Sequence, residues 1–321
     1  MALASATSIA QQLSKKDISQ LSQSAFPTAV EQLVDFLSIP NNGMDPKQIA
    51  ANKEAADTWL KEMGFSTKTI LSEGVPVLLT EKVSLAPNQL PTVLFYLQID
   101  GQPVDPSKWE QENPYQAVFK SKQTNGSWQS SSLKEATQNT EAYVFARSAS
   151  DSKGPAVSLF TALKILKEQG TRLPFNIKLL LDFQEEMGSP SLAKAVENNK
   201  AALAADYLFI MDGARHLSNK PTLTFGARGI ATAKLIVYGP KLPLHSGQYG
   251  NYAPNPVFET SRLLAGLKTA DGKVTLPNFY SGIQISEKDQ AFMAAIKEDA
   301  TVTNARLGIA KRNAIGSGYQ E

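Results

Sequence analysis

Residues Glu141–Pro190 read EAYVFARSASDSKGPAVSLFTALKILKEQGTRLPFNIKLLLDFQEEMGSP, and this stretch decides the fold class. Its two apolar runs, Tyr143–Ala146 and Ile177–Phe183, have the composition of buried strands. Between them, Pro155 lies in the first turn of an amphipathic helix that ends at Gly170. A strand, a helix and a second strand in this order predict a parallel sheet covered by helices.

The same alternation continues on both sides of this stretch. The apolar runs 92–97 and Tyr207–Met211 add two more buried strands, and two helices and two strands precede them: Ala25–Ser38, Asp45–Met63, Ser66–Leu71 and Val75–Leu79. Phe119–Glu141 is polar and carries Asn125-Gly126, which predicts a solvent-facing hairpin. Trp128 in this hairpin either covers it or contacts a substrate or partner. We predict an α/β fold with a doubly wound, mostly parallel sheet.

The character of the chain changes after Gly226, which predicts two domains, residues 1–225 and 226–321. In the second, Gly229–Gly239 alternates as a half-exposed strand does. Asn255–Leu267 and Glu287–Asp299 have helical patterns, and Val274–Ile285 is typical of strand and turn. The second domain is therefore expected to be a smaller α+β domain.

Composition excludes several function classes. A net charge of +2 with 19% charged residues gives no basic surface for nucleic acid. No apolar run reaches the ~18 residues of a membrane span. The absence of cysteine excludes disulfides and thiolate metal sites. The first residues make a poor signal peptide, so the cytoplasm is the favoured location, while secreted and periplasmic locations stay open.

Acidic residues follow four of the predicted strands: Asp100, Asp151, Glu185–Glu186 and Asp212. Because strand exits converge at one edge of a doubly wound sheet, these carboxylates are expected to be neighbours. Without a counter-charge they would repel each other and their pKa values would rise. Either a divalent metal binds there, or the acids form a solvated rim. Oxygen-rich ligation is typical of Mg or Mn, whereas Zn usually takes some His.

The adjacent pair Glu185 and Glu186 has two interpretations. In a tight turn, one side chain can bind metal while the other acts as a general base on water. Alternatively, both charges favour the N-terminus of the helix that begins near Ser189-Pro190. The residues alone leave both interpretations open.

Several motifs give the chain a specific resemblance. It resembles the metal-dependent exopeptidase family that includes carnosinase, cytosolic non-specific dipeptidase, glutamate carboxypeptidase and succinyl-diaminopimelate desuccinylase, and it is most similar to the carnosinase-like branch. The matching segments are QIDGQPV at Gln98–Val104, PSKW at Pro106–Trp109, ARSASDSKG at Ala146–Gly154, EEMGSP at Glu185–Pro190, PTL at Pro221–Leu223, GARG at Gly226–Gly229, LHSG at Leu244–Gly247 and NP at Asn255-Pro256.

The resemblance implies a metal-assisted hydrolase that cleaves a dipeptide or similar amide with a free carboxylate. It implies two Zn or Mn ions per chain, held by Asp151 as the bridging ligand, Glu186 and Asp212. Glu185 would be the general base, and Asp100 would orient the ligand at position 98. His245 would reach from the lid domain of one subunit into the active site of the other and stabilise the oxyanion, which implies a homodimer. His216 matches no family ligand.

Two departures from the family pattern predict weak or absent activity. The first metal ligand of the family is His, and here that position is Gln98, a degenerate ligand position. The family also has a histidine ligand in a returning C-terminal segment that is missing from this sequence, so we expect the chain to be either a fragment of a longer protein or a shortened relative. The alternative function is a non-catalytic relative that binds a peptide or protein partner in the old cleft. A third possibility is a scaffold that only dimerises through the lid.

Overall fold

The computed structural model describes residues 13–72, 74–82, 90–213, 222–226, 229–296 and 299–310. The chain divides into two compact units, Met1–Thr222 and Leu223–Glu321. The strands, all in the first unit, are β1 (Ser66–Ser72), β2 (Val75–Lys82), β3 (Thr92–Gln98), β4 (Val118–Lys122), β5 (Trp128–Ser131), β6 (Tyr143–Phe145), β7 (Asn176–Asp182) and β8 (Tyr207–Ile210). The helices of this unit are α1 (Lys15–Leu37), α2 (Pro46–Glu62), α3 (Leu133–Ala136), α4 (Lys153–Glu168), α5 (Leu192–Asn198) and α6 (Lys200–Leu203).

The central sheet has the strand order β1-β2-β7-β3-β8. Its parallel half is β7, β3 and β8, in which Gln98 is the register partner of Asp182. The hairpin of β1 and β2 joins β7 in the antiparallel sense, so the sheet is mixed. The predicted α/β class is confirmed, and the antiparallel edge is the feature that the alternation of elements did not indicate.

Helices cover both faces of this sheet. On one face, α1, α2 and α4 pack against the side chains of Leu179 and Leu181, which alternate with Leu180 on the opposite face near α5 and α6. Trp59 joins the first group, because its ring packs edge-on against Phe36 at 6.1 Å and against Phe160 at 5.2 Å between ring centroids. None of the described helices is long and apolar enough to cross a bilayer.

Helix α1 is longer than the sequence pattern predicted. We expected it to begin near Ala25, because Pro27 is typical of a first turn. It begins instead after Ser14, whose hydroxyl caps the helix in a reciprocal capping box with Asp17, and Pro27 lies inside it. The helix ends at Leu37 with no basic residue in its last turn.

The predicted hairpin forms a second, three-stranded antiparallel sheet with the order β5-β4-β6. Trp128 packs edge-on against Tyr143 and Phe145, so it covers this sheet. The assignment of Tyr143–Ala146 to the main sheet was wrong. This short apolar run pairs with β4 of the hairpin, and Tyr143 is exposed.

The second unit contains α7 (Ser246–Tyr249), α8 (Pro256–Gly266), α9 (Glu287–Ala295) and α10 (Ala300–Leu307). Helices α8 and α9 confirm the two helical patterns. The strand predicted at Gly229–Gly239 is wrong, because residues 229–240 have no regular secondary structure. The predicted strand material at Val274–Ile285 gives one isolated bridge, from Lys268 to Val274, and otherwise turns. Alternating residues form a strand only beside a pairing partner, and the described part of this unit offers none.

Candidate metal centre

Asp100 lies two residues beyond β3, against the turn that follows β7. Its Oδ1 accepts a hydrogen bond from the backbone N–H of Glu185 at 3.0 Å, and its Oδ2 accepts one from the N–H of Glu186 at 3.1 Å. The side chain is 2% exposed. A Cβ at position 43 would lie 2.6 Å from Asp100 Oδ2, so Gly43 is required for this close approach.

Burial raises the pKa of Asp100 from 3.8 to about 7. The two N–H donors favour the carboxylate and lower the pKa, whereas the neighbouring charge of Asp182 raises it. Both oxygens of Asp100 accept hydrogen bonds from the backbone of the Glu185–Glu186 turn, so Asp100 fixes the position of this turn.

Gln98, the last residue of β3, is also buried, and its Nε2 donates a hydrogen bond to Asp151 Oδ1. The other amide atom, Oε1, is buried and has no hydrogen-bond partner among the described residues. A buried acceptor without a partner costs free energy, so the hydrogen bonding of the Gln98 amide is incomplete.

The four carboxylates of Asp151, Glu185, Glu186 and Asp212 act on one another. Burial and then the charges of Glu186 and Asp212 raise the pKa of Asp151, while the Gln98 amide and Arg147 lower it. Burial raises the pKa of Glu185 most, and the charges of Asp212, Glu186 and Asp151 raise it further. The repulsion among these carboxylates is what a divalent cation would relieve.

The remaining contacts of this cluster are few. Glu186 Oε2 accepts a hydrogen bond from Gln102 Nε2 at 2.7 Å, and Asp212 Oδ1 accepts one from the N–H of Gly213 at 2.6 Å. The guanidinium of Arg147 lies 5.4 Å from the centre of the Trp109 ring, which holds this cation beside the cluster.

The donor set can be tested against a metal ion. In the described parts of the chain, no three His, Cys, Asp or Glu side chains converge as they would around a bound ion. The raised pKa values of Asp151 and Glu185, together with the unpartnered Gln98 Oε1, nevertheless fit an oxygen-ligated cation. The described donors of the cluster are carboxylate and amide oxygens, and oxygen-rich ligation is typical of Mn²⁺ or Mg²⁺.

The structure corrects one placement within the predicted cluster. Asp100, Glu185–Glu186 and Asp212 follow β3, β7 and β8 of the central sheet, as expected. Asp151 does not follow a strand of that sheet. It lies in the loop between β6 of the small sheet and α4, because the run before it pairs with the hairpin.

The two histidines of the chain are His216 and His245. His245 is an exposed residue of the second unit, where its Nδ1 accepts a hydrogen bond from the N–H of Gly247 at 3.1 Å and caps α7. An imidazole that accepts at Nδ1 carries its proton at Nε2 and can donate from there. His216 lies outside the described residues.

Sequence reasoning missed Asp182 at the end of β7. Its Oδ2 accepts hydrogen bonds from Tyr96 Oη at 2.9 Å and from Ser189 Oγ at 2.6 Å, and its Oδ1 accepts one from the N–H of Gln184 at 3.0 Å. Burial and the charge of Asp182 raise the pKa of Tyr96. Asp182 thus anchors the turn that presents Glu185, and an acid at the end of an otherwise apolar strand was the signal available.

The sequence profile of Peptidase family M20/M25/M40 matches residues 94–313, a range that contains the whole carboxylate cluster. The match spans more than half of the chain. The protein therefore belongs to this peptidase family.

Individual relatives agree with this assignment. The mouse Beta-Ala-His dipeptidase is 28% identical over 269 residues, which are 78% of this chain and 50% of that protein. The Cys-Gly metallodipeptidase of Candida albicans is 25% identical over 301 residues, which are 88% of this chain and 58% of that protein. Human carnosine dipeptidase 1 has a similar fold, with a TM-score of 0.59 at 22% identity over 92% of this chain and 61% of that structure. The chain spans about half the length of these curated relatives.

Proposed function

We propose that this chain carries the carboxylate centre of a metal-dependent dipeptidase-type hydrolase. The family assignment and the relatives named as metallodipeptidases support this function. The observation that carries the proposal is the cluster of Asp151, Glu185, Glu186 and Asp212, in which burial and then the charges of Glu186 and Asp212 raise the pKa values of both Asp151 and Glu185. Such mutual repulsion is typical of a site built to hold a cation.

Each residue has a distinct proposed role. Asp151, Glu186 and Asp212 would hold divalent metal, as two Zn or Mn ions or fewer, with Gln98 at a degenerate ligand position. When bound, the cation supplies Lewis acidity for the scissile carbonyl and for water. Glu185 would accept the proton of the attacking water, because its raised pKa brings it closer to neutrality than an ordinary glutamate. Asp100 would orient the turn that presents it.

Further roles concern the second unit. We propose that residues 226–321 belong to a lid and dimerisation domain, and residues 1–225 to the catalytic domain. His245 would act across a homodimer, where its Nε2–H can donate to a developing oxyanion. The proposed substrate is a small peptide with a free carboxylate, as the names of the Beta-Ala-His and Cys-Gly dipeptidases suggest.

The decisive test is hydrolysis of Beta-Ala-His and Cys-Gly dipeptides in the presence of Mn²⁺ or Zn²⁺. We expect weak turnover, because Gln98 replaces an imidazole, and Glu185→Gln should lower it by about 10²–10⁴-fold. Glu197→Gln, at an exposed position of α5, is the matched control and should change nothing. Normal turnover would contradict the expected impairment of this chain. Hydrolysis that survives Glu185→Gln would contradict the role of Glu185 as the general base.

The second candidate function is metal-free binding of a peptide in the same cleft. The observation in its favour is the hydrogen bond from Gln98 to Asp151, which already satisfies one oxygen of the proposed bridging ligand. Dipeptide affinity measured in the presence of a chelator separates the two functions. Binding that is unchanged by the chelator, without hydrolysis, would favour this alternative.

A further inference from the structure

Lys153 is a fully buried cation that the proposed chemistry does not use. Its side chain is 0% exposed, and the described residues give it no carboxylate partner. Its Nζ donates hydrogen bonds to the carbonyl oxygens of Phe36 and Ile39, both at 2.7 Å, and lies 4.4 Å from the centre of the Phe36 ring. Burying an ammonium group is costly, and burial lowers the pKa of Lys153 to about 7, so this arrangement needs an explanation.

These contacts complete the end of α1. The last carbonyls of a helix have no partners within the helix, and a cation near them is favourable. Since α1 has no basic residue in its last turn, the Lys153 side chain supplies a hydrogen-bond donor to this helix end from more than a hundred residues away. The helix end and the first residue of α4 are thereby joined.

The other end of this connection is the loop of Asp151. Lys153 follows Asp151 by two residues, and its backbone N–H donates to the carbonyl of Ser148 at 2.9 Å, which closes the loop into a turn. Fixing the Lys153 side chain on α1 therefore fixes the position from which Asp151 extends.

The segment Ile39–Gly43, here called the strap, contacts three of the four loops that carry the carboxylates, namely those of Asp100, Asp151 and Glu185–Glu186. Asn41 Nδ2 donates to the carbonyl of Ile99 at 2.6 Å and to Ser148 Oγ at 2.9 Å. The carbonyl of Gly43 accepts from Gln184 Nε2 at 2.8 Å, next to the Glu185 turn.

Two further contacts make the strap rigid. The carbonyl of Asn41 accepts a hydrogen bond from the N–H of Gly101 at 2.9 Å. The carbonyl of Pro40 accepts one from Asn52 Nδ2 of α2 at 2.7 Å. The strap is thus held by the sheet edge on one side and by a helix on the other.

We propose that the strap, anchored by Lys153, is a positioning element that sets the spacing between Asp100, Asp151 and Glu185–Glu186. This inference rests on the proposed function, because the spacing matters for cation binding. Neither Lys153 nor Asn41 touches the reacting groups. Both act through the loops that they hold.

The test compares Lys153→Met with Lys178→Met in the full chain. Lys178 is a matched control, because its Nζ also donates to two carbonyls at a helix end, those of Ala202 at 2.6 Å and Ala204 at 2.8 Å, outside the three loops. Mn²⁺ affinity is measured by calorimetry, and the bound ion is observed by electron paramagnetic resonance. We expect Lys153→Met to lose about 10–100-fold in affinity and to change the spectrum, and Lys178→Met to do neither.

A milder pair guards against misfolding of Lys153→Met. Asn41→Ala should weaken Mn²⁺ binding, whereas Asn199→Ala, which removes a side-chain bond to Ala195 within α5, should not. Equal Mn²⁺ affinity in Asn41→Ala and Asn199→Ala would overturn the proposal.

Amide hydrogen exchange adds a readout that needs no metal. In Lys153→Met and Asn41→Ala, residues 99–101, 148–153 and 184–186 should exchange faster than in the wild type, while β7 stays protected. If the wild type takes up no Mn²⁺, the proposed function fails. The exchange result still tests whether the strap positions the three loops. The positioning role would be overturned if these three loops exchanged in Lys153→Met and Asn41→Ala at the same rates as in the controls Lys178→Met and Asn199→Ala.

Discussion

Asp100 and Asp151 both lie beside the end of β3, yet they are held in opposite ways. Two backbone N–H groups occupy both oxygens of Asp100. Asp151 instead receives one side-chain amide, from Gln98, and otherwise faces the charges of Glu186 and Asp212. The difference suggests that Asp100 belongs to the scaffold, whereas Asp151 is available to a cation.

The largest expected effect comes from neutralising these two acids in turn. Asp151→Asn should weaken Mn²⁺ binding by more than about 100-fold, because it removes a proposed ligand, whereas Asp100→Asn should cost about 10–100-fold through the turn that it supports. Calorimetric titration of both variants with Mn²⁺ gives the ratio of their affinities. A larger loss of Mn²⁺ affinity in Asp100→Asn than in Asp151→Asn would contradict the assignment of Asp100 to the scaffold.

Replacing Gln98, the hydrogen-bond partner of Asp151, should raise the metal affinity instead of lowering it. Gln98→His places an imidazole where the amide now donates to Asp151, and we expect Zn²⁺ affinity to rise by about tenfold or more. Gln129→His, at an exposed position of β5, controls for adventitious Zn²⁺ binding. Elemental analysis of the purified variants gives the stoichiometry, and an unchanged Zn²⁺ content would show that Gln98 is not the limiting defect.

A steric change probes how tightly Asp100 is held. Gly43→Ala would put a methyl group 2.6 Å from Asp100 Oδ2, and we expect a loss of about 1–3 kcal/mol in the free energy of unfolding. Gly266→Ala, at the end of α8 with open space around it, should cause no loss. Urea unfolding followed by circular dichroism measures both, and equal stability of the two variants would mean that the Asp100 contact yields easily.

The smallest effect is the pH dependence that Asp100 gives to the metal-free chain. Its pKa is about 7 in the folded chain and 3.8 ordinarily, so between these values the folded chain keeps a proton that the unfolded chain has released. The stability that this proton contributes is complete below pH 3.8 and is lost as the pH rises toward 7.

Urea unfolding in a chelator at pH 5 and pH 8, for the wild type and Asp100→Asn, isolates this contribution. Asparagine cannot titrate, so the wild type should lose stability relative to the variant at the higher pH. A stability difference that is the same at both pH values would show that the carboxyl titrates normally.

The sequence was sufficient where the signal was local. Apolar runs identified β3, β7 and β8, and the acids that follow them, such as Asp100 and Asp212, could be placed at one sheet edge because parallel strands end together. The roles proposed for these acids came from the family resemblance and stay proposals.

Features that depend on distant pairing were not predictable in the same way. The run at Tyr143 has the composition of a buried strand, and only its pairing with β4 places it in the small sheet. The contacts of Asn41 and Lys153 join residues more than a hundred positions apart through single hydrogen bonds. Such contacts leave no periodicity in the sequence, so the strap could not be anticipated.

The tryptophan positions have a practical consequence for optical experiments. The three tryptophans of the chain are Trp59, packed edge-on against Phe36, Trp109 beside Arg147 and Trp128 on the small sheet. All three belong to the first compact unit, Met1–Thr222. Intrinsic tryptophan fluorescence therefore follows the unfolding of that unit alone, while calorimetry follows both. Coincident transitions by the two methods would mean that the two units unfold as one cooperative system.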